Sequence, residues 1–366
     1  MLIFTIAEIE ALYLAAWCKD IPINCTETIK AEIITLLCNY NLLRKSKSGL
    51  SYRATPLGYE LLSKAGYPLK QDKTYLGKSD ALSRRLHIAE IILFIYRIFG
   101  NVFQNTKSCE ISFVPSFIFR RKEAANLLGG NRLTGFLYTP NVTYILYYIA
   151  HGNDGLYPTV EERTIMGSGL HRNKEIRIIY TGQSDLPSLI KAAGKPAEKK
   201  QKSTTLSFLD SMDVFGCPVY FVPLSEMGAR QFRIICQPNY EIILARHLLG
   251  NEYRPAVFER YHALHKTTGE PFIIGIGCNL KSFDQATSGE DKPIHIILFQ
   301  YQISAVKKML AGLDTVLHPI DIEDAEKVLG IPHDFCSQDD SPCRTPEGGF
   351  IHAPSFKGYR KSGEKN

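Results

Sequence analysis

The residues best placed to do chemistry near the start of the chain are four cations around a predicted turn. Arg44, Lys45, Lys47 and Arg53 fall within ten residues, on either side of Gly49. Apolar residues flanking this stretch predict a β-hairpin with a basic tip. Such a tip can lie along a phosphate backbone, where neutralising phosphates releases condensed counterions. A solvated surface turn has the same composition, so a phosphate-contacting role and a structural role both stay open.

Further cations could extend a phosphate-binding surface. Lys30 lies on a predicted helix, but Glu27 and Glu32 on its exposed face are acidic and fit poorly against phosphates. Arg84 and Arg85 lie in the first third of a long predicted helix. The predicted DNA contacts are Lys30, Arg44, Lys45, Lys47, Arg53, Arg84 and Arg85. A basic group that ends a predicted strand could join them if the fold brings it close: Arg120, Arg121 and Lys122.

A metal-dependent nuclease is the enzyme that this chemistry would suit, and its residues are not in the expected place. It needs carboxylates at strand ends, because oxygen ligands hold the Mg²⁺ that stabilises the phosphoryl transition state. The predicted hairpin over residues 133–149 carries neither Asp nor Glu. Glu110, Glu161 and Glu162 have no recognisable spacing. We therefore predict no catalytic residues, with a site assembled from distant carboxylates as the alternative.

The histidines, cysteines and glycines do not form a cofactor pattern. His262 and His265 are three residues apart, a spacing that suits one face of a helix, and no third ligand is near in sequence. The nine cysteines include no Cys-x-x-Cys pair. Walker A, Gly-x-Gly-x-x-Gly and Gly-x-Ser-x-Gly motifs are missing from the sequence. The sequence predicts no metal and no cofactor.

The basic hairpin must be positioned by a short module over residues 1–70. Thr5 begins a helix with Glu8 at capping-box spacing, and a second helix is predicted from Thr26 to Tyr40. Thr55 begins a last helix after the hairpin. Helix, helix, basic hairpin, helix is the order expected of a winged helix. The room before the hairpin is short for a full helix-turn-helix, so either one helix is reduced to a turn or the motif is degenerate.

The sequence pattern after the first module predicts a second, larger domain. A polar linker is predicted at residues 71–79, followed by a mixed α/β domain over residues 80–330 with a sub-boundary near 165–175. Within that domain, residues 230–236 are predicted as a strand. Residues 331–366 are rich in Pro, Gly and Ser and are predicted to be disordered.

Composition argues against some classes of protein but does not identify the function. The 366 residues carry a net charge of +6, which permits binding to nucleic acid but does not require it. The N-terminus resembles no signal peptide, and the longest apolar stretch, residues 88–99, contains Glu90 and Arg97. An odd number of unpatterned cysteines suits a reducing compartment. We expect a cytoplasmic protein with no membrane contact.

The order of parts resembles the replication-relaxation family of bacterial plasmids and conjugative elements. In both, a winged helix precedes a long helix, here beginning Leu82-Ser83-Arg84-Arg85-Leu86-His87, and an α/β core. Residues 131–140, continuing to Tyr144 and Tyr147, are similar to a recurring Arg-x-Thr-Gly stretch with two later tyrosines in proteins of such elements. The resemblance spans roughly residues 1–320. It implies a DNA-handling context and a core related to restriction-nuclease folds.

These observations lead to one main expectation and two alternatives. The fold class expected is an N-terminal winged helix followed by a mixed α/β domain with a degenerate restriction-nuclease-like core. The function expected is DNA binding in plasmid replication, relaxation or conjugative transfer, with double-stranded DNA and other replication or transfer proteins as partners. The alternatives are a metal-dependent nuclease with dispersed carboxylates, and a protein-interaction module or transcriptional regulator with a degenerate winged helix.

Overall fold

A computed structural model describes most of the chain, and its described residues form a mixed α+β protein. They are residues 2–67, 69, 79–100, 102, 111–116, 133–150, 167, 169, 174–193, 217–256, 261–279, 283, 292–333 and 339–354. The chain divides into two compact units, residues 1–97 with 336–366 and residues 98–335. The mixed class predicted from the sequence is confirmed. The division falls inside the long helix rather than at the predicted linker, residues 71–79, which apart from Ser79 lies outside the described residues.

The described part of the first unit has helices around a small antiparallel sheet. Its elements are α1 (Ile6–Cys18), β1 (Ile21–Pro22), a 3₁₀ turn (Cys25–Glu27), α2 (Ala31–Asn39), β2 (Leu43–Lys45), β3 (Ser51–Ala54), α3 (Pro56–Lys64) and the start of α4 (Ser79–Phe99). The three strands pair in the order β1-β3-β2. The predicted capping box at the start of α1 is present: the Thr5 amide donates to Glu8 Oε2 (2.7 Å), and the Glu8 amide donates to Thr5 Oγ1 (3.3 Å).

The second predicted helix, Thr26 to Tyr40, is shorter than the pattern indicated. Its first turn is the separate 3₁₀ turn, and Lys30 is extended (φ −53°, ψ 137°) before α2 begins. Cys25 and Ile29 are both buried, and the Ile29 amide donates to the Cys25 carbonyl. A continuous helix would also place these two side chains on one face, so their burial does not by itself end the helix. The interruption is the extended backbone of Lys30, after which α2 begins. A reduced second helix was one of the two alternatives that the sequence left open.

The C-terminal residues 339–354 are ordered against the first unit, contrary to the disorder predicted for residues 331–366. Bridges join Ile3 to His352 and Thr5 to Pro342, and the Phe4 amide donates to the Ile351 carbonyl (2.9 Å). The segment buries Cys343, Ile351 and Ala353. A composition rich in Pro and Gly conceals these few apolar anchors, and their burial offsets the entropy of ordering the segment.

The second unit is larger, and its described residues form two five-stranded sheets. Its strands are β4 (Ser112–Pro115), β5 (Gly135–Tyr138), β6 (Val142–Tyr148), β7 (Glu175–Thr181), β8 (Val219–Phe221), β9 (Tyr253–Pro255), β10 (Ala263–His265), β11 (Pro271–Ile274), β12 (Ile294–Phe299) and β13 (Thr315–Ile320). Its helices are α5 (Leu186–Ala193), α6 (Glu226–Ile235), α7 (Tyr240–Leu249), α8 (Ile303–Met309) and α9 (Ile322–Val328), with 3₁₀ turns at Gly250–Glu252 and Gln300–Gln302.

Both sheets mix strand directions, as expected where hairpins and helical crossovers alternate. The first has the order β4-β5-β6-β7-β8, antiparallel from β4 to β6 and parallel from β6 to β8. The second has the order β13-β12-β11-β10-β9, parallel from β13 to β11 and antiparallel beyond. A buried amide, Gln231, joins them by donating to the carbonyls of Phe221 (3.1 Å) and Ile276 (2.8 Å).

The segment predicted as a strand at residues 230–236 is helical. It belongs to α6, where the Ser225 hydroxyl caps the helix by accepting from the Gly228 amide. A short apolar run does not by itself distinguish a strand from a buried helix. Here a contact distant in sequence favours the helix: in this conformation Arg230 donates two hydrogen bonds, of 3.1 and 2.6 Å, to Glu326 on α9.

Candidate nucleic-acid interface

The basic hairpin predicted from the sequence is formed by β2 and β3, and we call it the wing. Arg44 lies opposite Arg53 in the antiparallel register. The tip is closed by its own hydrogen bonds: the Ser46 amide donates to the Ser51 carbonyl (2.8 Å) and the Gly49 amide to the Ser46 carbonyl (2.9 Å). Gly49 has φ +73°, which glycine adopts without a steric penalty. The tip geometry is therefore set locally.

Three cations of the wing are exposed and unneutralised. The side chains of Arg44, Lys45 and Lys47 lie in solvent, and none has an ion-pair partner among the described residues. Leu50 lies beside them at the tip with 56 % of its surface exposed. Cations that have no protein partner keep their attraction for phosphates, so these three are strong phosphate-contact candidates.

Arg53 and Arg85, also predicted as DNA contacts, are instead bound to a buried carboxylate. Asp20, only 1 % exposed, accepts from Arg53 Nε (2.5 Å) and from Arg85 Nε (2.8 Å). It also accepts from the Ser51 hydroxyl (2.8 Å). The Arg53 side chain is 25 % exposed and that of Arg85 11 %. This Asp20 cluster fixes the end of α1 to the wing strand β3 and to α4.

No local sequence pattern indicates the Asp20 cluster. Asp20 follows a helix and precedes an Ile-Pro break, which is an ordinary place for a polar residue that ends a helix. Its partners lie 33 and 65 residues further along the chain. A pairing over such a separation is visible only once the fold brings the residues together.

The other predicted contacts are divided. Lys30 is exposed immediately before α2, and its Nζ lies 3.6 Å from Oδ2 of Asp340 in the C-terminal segment. Glu32 on the same helix is exposed, so α2 presents little positive charge. Arg84 is exposed on α4. The third basic group, residues 120–122, lies outside the described residues.

The β5–β6 hairpin of the second unit, where a nuclease would carry its carboxylates, is apolar in the structure. β5 and β6 are buried almost throughout, and Tyr144 and Tyr147 lie in the core. The described part of the chain holds no group of three or more His, Cys, Asp or Glu side chains that could bind a metal ion.

Burial raises the pKa of Cys25 in the first unit to about 11, so that thiol stays protonated and behaves as an apolar core group.

His262 and His265 do not lie on a helix face, as their spacing had indicated. His265 is in strand β10, and His262 directly precedes it. His262 Nδ1 accepts from the Ile274 amide (2.8 Å), while His265 Nδ1 accepts from the Thr268 amide (3.0 Å). Each ring is thus held by backbone groups of its own sheet region rather than by a shared ligand.

Comparisons with protein-family models, curated proteins and solved structures gave no match for this chain. Within the described residues, no helix is both long and apolar enough to cross a membrane. The wing, its three unneutralised cations and the Asp20 cluster that holds it are the features on which a functional proposal can rest.

Proposed function

We propose that the first unit is a winged helix that binds double-stranded DNA through its wing. The order α1, β1, turn, α2, β2, β3, α3 around a three-stranded antiparallel sheet supports this fold. In this view the 3₁₀ turn at Cys25–Glu27 replaces the second helix of the helix-turn-helix, and α2 takes the place of the recognition helix.

The observation that carries the proposal is the positive charge of the wing, which no acidic side chain among the described residues balances. Arg44, Lys45 and Lys47 project into solvent without acidic partners among the described residues, at a tip whose backbone is fixed. In contrast, α2 exposes Glu32 and has Lys30 next to Asp340. Phosphate contact led by the wing is therefore favoured over deep insertion of α2 into a groove.

We propose further that the second unit serves as a platform in a mobile-element protein that acts in plasmid replication, relaxation or conjugative transfer. A degenerate restriction-nuclease-like core is compatible with the hairpin β5–β6 followed by the parallel strand β7. The apolar burial of β5 and β6 supports a platform without nuclease chemistry at that hairpin. The resemblance noted in the sequence is what connects this unit to mobile elements.

The proposal is tested by fluorescence anisotropy of the full chain with a labelled random-sequence duplex at two salt concentrations. The Arg44→Ala/Lys45→Ala/Lys47→Ala variant should lose most of the binding. A matched control, Lys64→Ala/Lys307→Ala/Lys308→Ala, removes the same charge from exposed positions elsewhere and should bind like the wild type. Failure of the wild type to bind at low salt would refute DNA binding. Equal losses in both variants would refute the wing as its site. A protein-docking role becomes the better explanation where the wild type does not bind at low salt.

A further inference from the structure

The second unit contains a small cavity whose otherwise largely apolar lining includes two arginines. It lies between the end of α7 and the strands β9 and β10, and its volume is about 30 Å³. Its lining includes Arg246, Arg254 and His262, together with Tyr253 and Gly250. A cavity of this size holds one water molecule or one oxygen atom of a ligand, and it is too small for an organic group.

The two arginines at this cavity have no protein partner in the described part of the chain. Arg246 on α7 and Arg254 on β9 are both exposed, and neither forms an ion pair or hydrogen bond with a described residue. Guanidinium groups bind oxyanions with paired N–H donors, and this geometry favours phosphate and carboxylate oxygens. Two arginines without partners among the described residues thus border the same cavity, and their chemistry suits an oxyanion.

His262 supplies a third donor. Its Nδ1 accepts a hydrogen bond from the Ile274 amide (2.8 Å), so the neutral ring carries its proton on Nε2. Burial lowers the pKa of His262, which keeps the ring neutral near pH 7. Nε2 has no hydrogen-bond partner among the described residues, and the ring lines the cavity. Its N–H is thus available to a ligand atom inside the cavity.

We propose that this cavity binds the phosphoryl group of a small ligand. One oxygen accepts from His262 Nε2 inside the cavity, and the oxygens that remain outside pair with Arg246 and Arg254. Donors from three separate segments suit a tetrahedral anion better than a planar carboxylate. The carbonyls at the end of α7 carry partial negative charge, so binding depends on both guanidinium groups being present. This site does not depend on the proposed role of the wing.

The test is calorimetric titration of the full chain with inorganic phosphate at low ionic strength. We expect binding with a Kd of about 1 mM or tighter, weakened at least about tenfold by Arg246→Ala and by Arg254→Ala. Both arginines are exposed, so neither substitution should affect folding, which circular dichroism would check. Lys308→Ala, which removes an exposed charge from α8, should leave the affinity unchanged. Absence of binding, or equal weakening in all three variants, would overturn the proposal.

The source of the phosphoryl group is distinguished by two further titrants. Thymidine 5′-monophosphate binding in an Arg246-dependent manner, with no binding of thymidine, would identify a nucleotide phosphate. Binding of inorganic phosphate alone would identify the free anion. Because the wing variant keeps Arg246 and Arg254, it should bind phosphate like the wild type, and this separates the failure of one proposal from the failure of the other.

Discussion

Asp20 is the residue on which the position of the wing depends, and its removal tests that dependence. The substitution Asp20→Ala leaves Arg53 and Arg85 without their counter-charge and removes the acceptor of the Ser51 hydroxyl. Breaking a buried ion pair from one side costs about 3–5 kcal/mol. Because Arg53 is one-quarter exposed and can regain water, we expect a loss near the lower end, about 3 kcal/mol.

The single tryptophan of the chain makes this loss measurable in the first unit. Trp17 lies in α1, three residues before Asp20, so its fluorescence reports unfolding of this unit. With a urea dependence of about 1–3 kcal/mol per molar, the expected loss lowers the unfolding midpoint by roughly 1–3 M. Lys64→Ala is the control, since it breaks an exposed pair with Glu60 (2.8 Å) and should leave the midpoint in place. A loss below about 1 kcal/mol for Asp20→Ala, or the same shift in both variants, would refute the reasoning.

Two other predictions concern the second unit. His295 Nδ1 lies 2.7 Å from His318 Nε2, and burial lowers the pKa of both rings below the ordinary 6.5. As the pH falls, the unfolded chain therefore binds protons at these histidines before the folded chain does. Their contribution to folding stability is complete above about pH 6.5 and is lost at lower pH. Thermal melts from about pH 7.5 to about pH 5 should show a smaller decline in His318→Gln than in the wild type or in the exposed control His247→Gln, and identical declines would count against the pair. At Gly228 an added Cβ would lie 1.8 Å from the Pro223 carbonyl oxygen. Gly228→Ala should therefore destabilise this unit by about 3 kcal/mol in circular-dichroism melts. Gly167→Ala, whose added Cβ would meet no atom of the described residues within 4 Å, should not.

Local chemistry explains which parts of the fold were predictable. The capping box at Thr5, the basic turn around Gly49 and the helix start at Thr55 each depend on residues a few positions apart. Such signals act within one element, so the sequence contains them directly. The mixed α+β class follows in the same way from the alternation of strand and helix patterns.

Long-range partners explain what was missed. The helix α6 was predicted as a strand because its apolar run is short, and it is settled by the contact of Arg230 with Glu326, 96 residues away. The segment 339–354 was predicted to be disordered because its composition is that of a loop, while its order depends on backbone pairing with residues 2–7 at the opposite end of the chain. Neither partner could be found from the local pattern.

Of the predicted DNA contacts, some cations lie in solvent and others are held by acidic partners distant in sequence. The dependence of DNA affinity on salt concentration measures how many of them contact phosphates. Seven cations in phosphate contact would give a slope of log K against log salt near −6, at about −0.9 per phosphate. In the structure Arg53 and Arg85 are held by Asp20, and Lys30 lies next to Asp340. If the wing alone makes the contacts, the slope should be about −3, and it should approach zero in the triple wing variant. A wild-type slope near −6 would refute contact by the wing alone and would require further cations to reach phosphates.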